Sequence, residues 1–590
     1  MKFFITDSEK SFSENKSRFK FLFKGYIIEK WNFSYSPDDF NLALNGIEYK
    51  AADAMHVELN AALERLENVS LSHNKFVATR NTKRDIHFSL LYNSYWQLVV
   101  KKQVLRLVIE KLLQLISEKI SEIELDLNEE FRLAEVDFQD SFKEKKLAFN
   151  FRETKISAFT KLKPLLKNWG YYTFHLYKKL VGYSIPKHPN KKNILLLIYD
   201  VPSLHIVLER FYELVKKSKE VHLTLVVLSS GIAKNKAIDA QNFSSQNITV
   251  LDYTLFRNGN NQNHSDLYKQ LESWHPAYAI IRKQKLIENL EDHYAWIGTA
   301  IEAVKPDVCF TVSLSETGRA ISDAARYFSV PCVNVEYGIN TDDPLYFNSN
   351  TNFTIRACIG EANQLIWKKR NDPSEQHYNI GFCKLDKLID FKPNPADFFQ
   401  RNKLDATRPS LFFASSWTSS NKSYDLEKQT LVDELSKLCH KRNWNLLIKK
   451  HPAETDSLVK DIIDRSNFAN QLVFNHADIT LHELVCYCTV ATTQSSSMFA
   501  ETLYFEKPFC FLNKSKEGGI TELYTSINED GLFETYRNME DFERFVEQLM
   551  QPEELIKFKT KAQKLKEKYL YKVDGLSSER LLKLLIEAKN

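Results

Sequence analysis

From Asn193 onward the chain is paced by short, uninterrupted apolar runs, most of them followed by a segment of helical period. This rhythm restricts the fold more than any single motif does. ILLLIYD (Ile194 to Asp200) leads to a helical stretch over Leu204 to Lys216, then LTLVVLS (Leu223 to Ser229) and ITVLDY (Ile248 to Tyr253). Helices from about Asp266 precede DVCFTVS (Asp307 to Ser313), a helical stretch over Thr317 to Phe328, and PCVNVEYG. A strand that is apolar at every position is buried on both faces. Such strands, alternating with helices, predict a parallel sheet covered on both sides, a doubly wound domain over roughly 191–395.

The polar stretch FKPNPADFFQRNKLDATRPS then interrupts the rhythm, which starts again with SLFFASSW (Ser410 to Trp417). A helix over Leu426 to Arg442, NLLIKKHP (Asn445 to Pro452), QLVFN (Gln471 to Asn475), and a helix over Thr480 to Tyr487 follow. TVATTQSSSMFAETLYFEKPFCFL (Thr489 to Leu512) reads as strand, polar turn, helix and a second strand after Pro508. From Asn538 to Asn590 the pattern is helical and rich in Lys and Glu. This predicts a second Rossmann-like domain over roughly 405–590, terminal helices included. Two such domains in tandem bind ligand in the cleft between them, at the carboxyl ends of the strands.

Residues 1–190 are different. After a short strand over Lys2 to Thr6, the segment Tyr92 to Leu127 carries Leu, Val and Ile at helical spacing and reads as one or two long amphipathic helices. Residues 1–190 are thus expected to form a helix-rich N-terminal module. It ends in a basic, aromatic segment: Arg152 to Lys192 holds about ten Lys or Arg against one acid, interleaved with WGYYTFHLYKKLVGY. Such a segment suits an anionic lipid surface, or a packed helix followed by a basic linker.

Composition narrows the function classes. At 590 residues the chain exceeds one ordinary core, and its net charge of +4 excludes a strongly basic nucleic-acid binder. MKFFITDSEK has no signal-peptide apolar region, and no apolar run approaches a membrane span. All eight cysteines lie at or beyond Cys309 without zinc-knuckle spacing, so reduced thiols and a cytoplasmic location are expected.

Two stretches carry candidate chemistry. In NLLIKKHPAETD the apolar run ends at Ile448, so Lys449, Lys450 and His451 fall at the carboxyl end of a strand, and Pro452 keeps His451 out of helical conformation. A cation or neutral donor there can bind a phosphoester and steady the charge that grows on it as a sugar leaves. In the polar turn, Gln494, Ser495, Ser496 and Ser497 precede a helix carrying Glu501. Hydroxyls beside free backbone N–H groups suit an anionic phosphate, and a serine there can equally cap the helix.

Together, His451-Pro452 and the serines Ser495, Ser496 and Ser497 resemble the HP and Ser/Thr-Ser/Thr motifs of bacterial GT-B glycosyltransferases of surface polysaccharide synthesis. The capsule Kdo transferases and the bacterial sialyl- and polysialyltransferases are the nearest in kind. The resemblance spans roughly residues 300–515. It implies a GT-B-like fold, two Rossmann-like domains facing a cleft, in which His451 and the serines bind the nucleotide phosphate and Glu501 contacts ribose or base. Glu336, in the Glu336-Tyr337-Gly338 strand end, matches the E-x-G element and would be the general base for an acceptor hydroxyl. Tyr337 stands where sialyltransferases have a second acid; Asp200 and Glu316 are the alternative carboxylates.

The expected partners are a nucleotide-sugar donor, CMP-linked by preference, a glycan or lipid-linked glycan acceptor, and the inner membrane face as a peripheral contact. No nucleic acid and no cofactor are expected. There is no P-loop, no GxGxxG after the first strand and no HExxH, and Asp342-Asp343 is a bare pair in a loop, so no metal is expected either. CDP-glycerol polymerases have a similar motif pair, and UDP-GlcNAc 2-epimerases share the tandem architecture. A UDP-sugar transferase, an epimerase and a catalytically silent glycan- or nucleotide-binding scaffold are therefore the alternative readings.

Overall fold

The apolar runs pair into two sheets that are parallel throughout. The computed structural model describes the backbone of eight short strands between Lys2 and Arg152. Beyond them it describes residues 188–199, 207–228, 245–256, 296–312, 316–338, 353–369, 375–415, 422–449, 471–474, 481–494, 498–512, 531, 533–549 and 551–589.

The N-terminal strands are β1 (Lys2–Thr6), β2 (Phe21–Lys24), β3 (Asn41–Leu44), β4 (Ile47–Lys50), β5 (Val77–Thr79), β6 (Arg84–Ile86), β7 (Glu122–Asn128) and β8 (Lys146–Arg152). Four form a parallel sheet in the order β2-β1-β7-β8, while β3-β4 and β5-β6 are antiparallel pairs. The strand expected at Lys2 is present. The helix expected to run to Leu127 is corrected at its end, because Glu122–Asn128 is a strand. Within EIELDLN the apolar residues Ile123, Leu125 and Leu127 alternate with polar ones, a period of two that outweighs the helical spacing before it. The basic aromatic segment lies outside the described residues for most of its length.

The first large sheet contains β9 (Lys192–Tyr199), β10 (Val221–Leu228), β11 (Ile248–Asp252), β12 (Val308–Thr311), β13 (Cys332–Val335), β14 (Ile355–Cys358) and β15 (Gln376–Asn379). Its order is β11-β10-β9-β12-β13-β14-β15, so the chain starts at the centre, winds to one side, and crosses back over β9 to wind to the other. Helices α1 (Glu209–Lys217), α2 (Glu316–Tyr327) and α3 (Glu361–Lys369) belong to this part. A connecting 3-10 segment, Cys383–Asp390, and α4 (Pro395–Arg401) follow.

The second sheet repeats the plan with β16 (Ser410–Ala414), β17 (Asn445–Lys449), β18 (Gln471–Phe474), β19 (Val490–Thr493), β20 (Phe509–Leu512) and β21 (Glu534–Tyr536), in the order β18-β17-β16-β19-β20-β21. Its helices are α5 (Lys422–Arg442), α6 (Leu481–Tyr487), α7 (Phe499–Tyr504), α8 (Met539–Leu549) and α9 (Pro552–Leu570), and the last helix of the chain is α10 (Ser577–Glu587).

The pleat divides the second sheet's side chains between two cores. Leu411, Phe413, Leu446, Ile448 and Val490 pack with Leu431 and Leu435 of α5 and Phe542 of α8. Phe412, Leu447, Ala491, Phe509 and Phe511 pack on the other face with Leu484 of α6 and Phe499 and Leu503 of α7. Each fully buried side chain of this size contributes on the order of 1.5–3 kcal/mol, which is why continuous apolar strands demand helices on both sides.

The expected boundary of the second domain is corrected at α10. Leu581 and Leu585, four residues apart on one helical face, join the core of the first sheet beside Ile194, Leu223 and Phe211. Asp386 of the connecting segment accepts hydrogen bonds from the Ser577 and Ser578 N–H groups at 3.0 and 2.6 Å, satisfying donors at the start of this helix. The chain therefore leaves the second domain after α9 and ends on the first.

Candidate functional site

In a sheet wound outward from its centre, the crevice lies where the two windings part, at the carboxyl ends of the two central strands. In the second sheet these strands are β16 and β19, and their ends lie side by side. Ala414 is in register with Thr493 on one side and with Lys449, the last residue of β17, on the other. The Thr493 hydroxyl donates to the Ala414 carbonyl at 2.7 Å, and the Ser415 N–H donates to the Lys449 carbonyl at 3.0 Å. Lys449 and Gln494 are thus fixed at one edge by the strand pairing itself.

That edge is buried and polar. Lys449 is 7% exposed and Gln494 1%. Neither the Oε1 nor the Nε2 of Gln494 is hydrogen-bonded to any protein group. His482, in the first turn of α6, is 6% exposed, and its Nε2 likewise meets no protein partner. Burial, and then the charges of Lys384, Lys387 and Lys449, push the His482 imidazole down to about 3, so it is neutral across the physiological range.

The same three lysines come from two parts of the chain. Lys384 and Lys387 come from the connecting segment between the sheets. Lys384 forms an ion pair with Glu501 of α7, and Lys387 pairs with Glu209 of α1 at 2.9 Å. Glu501 is 1% exposed, so Lys384 ties the connecting segment to the helix that follows the serine turn.

Of the residues singled out by sequence, Lys449, Gln494 and Glu501 are found together here. Lys450, His451, Pro452, Ser495, Ser496, Ser497 and Asp200 lie outside the described residues. Glu316 begins α2, with its side chain outside them.

Glu336 is buried and hydrogen-bonded. It follows β13 directly and its carboxylate is turned into the protein: Oε2 accepts from the Ile359 N–H at 2.7 Å and from Asn363 at 2.8 Å, and Oε1 accepts from the Trp367 indole. Burial raises its pKa, opposed by these donors and by Arg356. Held in this way, the carboxylate braces the turn from β14 into α3. Asp200 comes next in sequence after β9, and Glu316 begins the helix after β12.

Sequence reasoning missed His482, Lys384 and Lys387. The signal for His482 was its position, since a helix between parallel strands begins at the carboxyl edge. The lysines are three apart in CKLDKLID, a segment that looks like a linker. Among the described residues no cluster of three or more His, Cys, Asp or Glu could hold a metal ion, and no helix is long and apolar enough to cross a membrane. All eight cysteines are free.

No family model matches the sequence, and no curated protein matches it. Solved structures do align. A putative UDP-N-acetylglucosamine 2-epimerase from Listeria monocytogenes is 14% identical over 68% of this chain and 98% of its own, with a TM-score of 0.47. A co-structure of S. aureus MnaA with UDP is 15% identical over 68% and 99%, with a TM-score of 0.45. A glycosyltransferase from Rickettsia africae is 14% identical over 68% and 100%, with a TM-score of 0.43. The strand order and the returning helix, more than these distant likenesses, define the architecture: two Rossmann-like domains in tandem with the last helix laid back on the first, a GT-B-like fold.

Proposed function

We propose that this chain is a sugar-nucleotide enzyme and, more narrowly, a glycosyltransferase that moves a CMP-linked acidic sugar such as Kdo or sialic acid to a surface polysaccharide or lipid-linked glycan. The observation that carries this reading is the convergence of Lys449, Lys384 and Lys387 on the crevice edge of the second Rossmann-like sheet. In sequence that edge continues into His451-Pro452 on one strand and into Ser495, Ser496 and Ser497 on the other.

The lysines and His451 hold the nucleotide phosphate, with the serine hydroxyls completing its shell. Glu501 takes the ribose hydroxyls. The acceptor oxygen attacks the anomeric carbon, the bond from that carbon to the phosphate oxygen breaks, and the nucleotide departs with the electron pair. Fixed cations stabilise the charge that develops on it, and Glu336, or in its place Asp200 or Glu316, receives the acceptor's proton. The basic aromatic segment Arg152 to Lys192 holds the enzyme at an anionic membrane face where lipid-linked acceptors lie. Cosedimentation with anionic liposomes that survives replacement of its lysines by glutamine rules that contact out.

The central test is thermal unfolding of the purified chain with CMP, CDP, UDP and GDP, beside His451→Ala. A ligand at a hundredfold excess over its Kd stabilises by about 2.7 kcal/mol. A rise in Tm with CMP that is lost in the variant is the expected result. A UDP-selective rise points to a UDP-sugar transferase or an epimerase, and no rise with any nucleotide refutes the enzyme reading in favour of a silent scaffold.

A further inference from the structure

Gln494 and His482 share an uncommon condition. Buried polar atoms are nearly always hydrogen-bonded, because leaving one unpaired forfeits the bond it made with water. Here the carboxamide of Gln494 is unpaired at both ends and His482 is unpaired at Nε2, with the residues 1% and 6% exposed. Both sit at the same carboxyl edge. Gln494 follows Thr493, whose register partner Ala414 is in turn paired with Lys449, and Lys449 acts on His482 from the next strand. Lys384, which also acts on His482, closes the ring through Glu501 on the helix that follows Gln494.

The chemistry of the ring divides in two. Lysines recognise charge. A carboxamide offers one donor group beside one acceptor, and a neutral imidazole offers one more of either kind, so neither carries the charge with which a lysine favours phosphate, and the carboxamide's acceptor finds no donor on an ionised one. A group with a donor and an acceptor next to each other on a flat edge is what a carboxamide pairs with best, and in a nucleotide that group is the base.

Resting on the nucleotide-binding reading above, we propose that Gln494 and His482 are specificity residues that read the hydrogen-bonding edge of the nucleobase, while Lys449, Lys384 and Lys387 hold the phosphate of the same ligand. The pair selects which nucleotide is bound, and the lysines determine how tightly any phosphate is bound. Because the Gln494 carboxamide and the His482 Nε2 have no protein partner to lose, apolar replacement keeps the fold and removes the recognition.

The test is titration calorimetry of the full chain with CMP, UMP, AMP, GMP and ribose 5-phosphate, which lacks a base. Gln494→Leu and His482→Phe are compared with wild type, with His482→Asn as the conservative control. The expected result is a wild type that binds one nucleotide at least tenfold more tightly than ribose 5-phosphate. Each apolar variant then loses tenfold or more of that preference, binds ribose 5-phosphate as wild type does, and keeps its Tm. A preference that persists in both folded variants overturns the assignment, as does an equal weakening of nucleotide and ribose 5-phosphate. If an apolar variant fails to fold, its side chain has a structural partner after all, and the assignment is refuted for that residue. A wild type that binds none of the four nucleotides defeats the nucleotide reading itself, whereas binding with unchanged selectivity defeats only the role given to this pair.

Discussion

Lowering the pH should destabilise this protein through His482. In the folded chain its imidazole is held at about 3, by burial first and by Lys384, Lys387 and Lys449 after it; in the unfolded chain it titrates near its ordinary value of 6.5. Between those values the unfolded state binds a proton that the folded state refuses, so stability falls as pH falls. At pH 7.5 the effect is negligible. At pH 5 the gap is the 1.5 units between the unfolded value and the solution, and at about 1.36 kcal/mol per unit the group alone removes about 2 kcal/mol. The assay is urea unfolding at pH 7.5, 6 and 5, for wild type and His482→Asn. The wild-type free energy should drop by about 2 kcal/mol more than that of the variant between the first and last pH. Parallel losses in the two proteins would show that His482 accepts a proton freely in the fold, and would refute both its burial among lysines and the neutral character assigned to it.

Three further outcomes follow from the geometry. A Cβ at Gly360 would fall 2.6 Å from the backbone C and O of Tyr569 in α9, inside the 3.4 Å at which ordinary contact begins, so Gly360→Ala must push α3 and α9 apart. An overpacking cost of about 1–3 kcal/mol is expected in urea unfolding. Lys384→Met leaves Glu501 buried without its paired cation and should cost about 3 kcal/mol, the low end for breaking a buried pair because the lysine is one-quarter exposed; Lys384→Met with Glu501→Gln should recover part of it. Glu336→Gln should lower Tm, because the carboxylate meets three donors; in an assay of the proposed transfer, a loss of about 100-fold or more would mark Glu336 as the general base and a change within tenfold would not.

The parts of the fold that were legible in the sequence are those where one physical rule acts alone. β9, β10, β16, β17 and β19 are buried on both faces, and a run such as ILLLIY has no other stable use in an α/β chain. The strands that escaped reading obey a different rule. β14 is IRAC, broken by Arg356, which is nonetheless 1% exposed; its guanidinium donates to Asn334 at 3.0 Å, pairs with Glu375, and lies 3.6 Å from the centre of the Trp367 ring. A charge can sit inside a sheet only when residues far away in sequence are placed to meet it, and nothing local announces that. β15 and β21 are edge strands, half exposed, with no apolar run to find.

The same distinction governs the site. Lys449 and Gln494 were legible because a strand end places them, and strand ends can be read from local sequence. For Glu336 the strand-end position was legible and the environment was not: the three donors that meet it come from Ile359, Asn363 and Trp367, beyond the next strand crossover. His482 and Lys384 acquire meaning only through each other, across roughly a hundred residues of chain, by a field that one side chain exerts on another. A motif search finds residues whose role is set by their own neighbours in sequence. Residues whose distinction is an unmet hydrogen bond, as with Gln494 and His482, become visible only when the buried polar atoms of the described residues are accounted for, and it is that accounting which motivates the proposal that lysines hold charge while this pair reads a base.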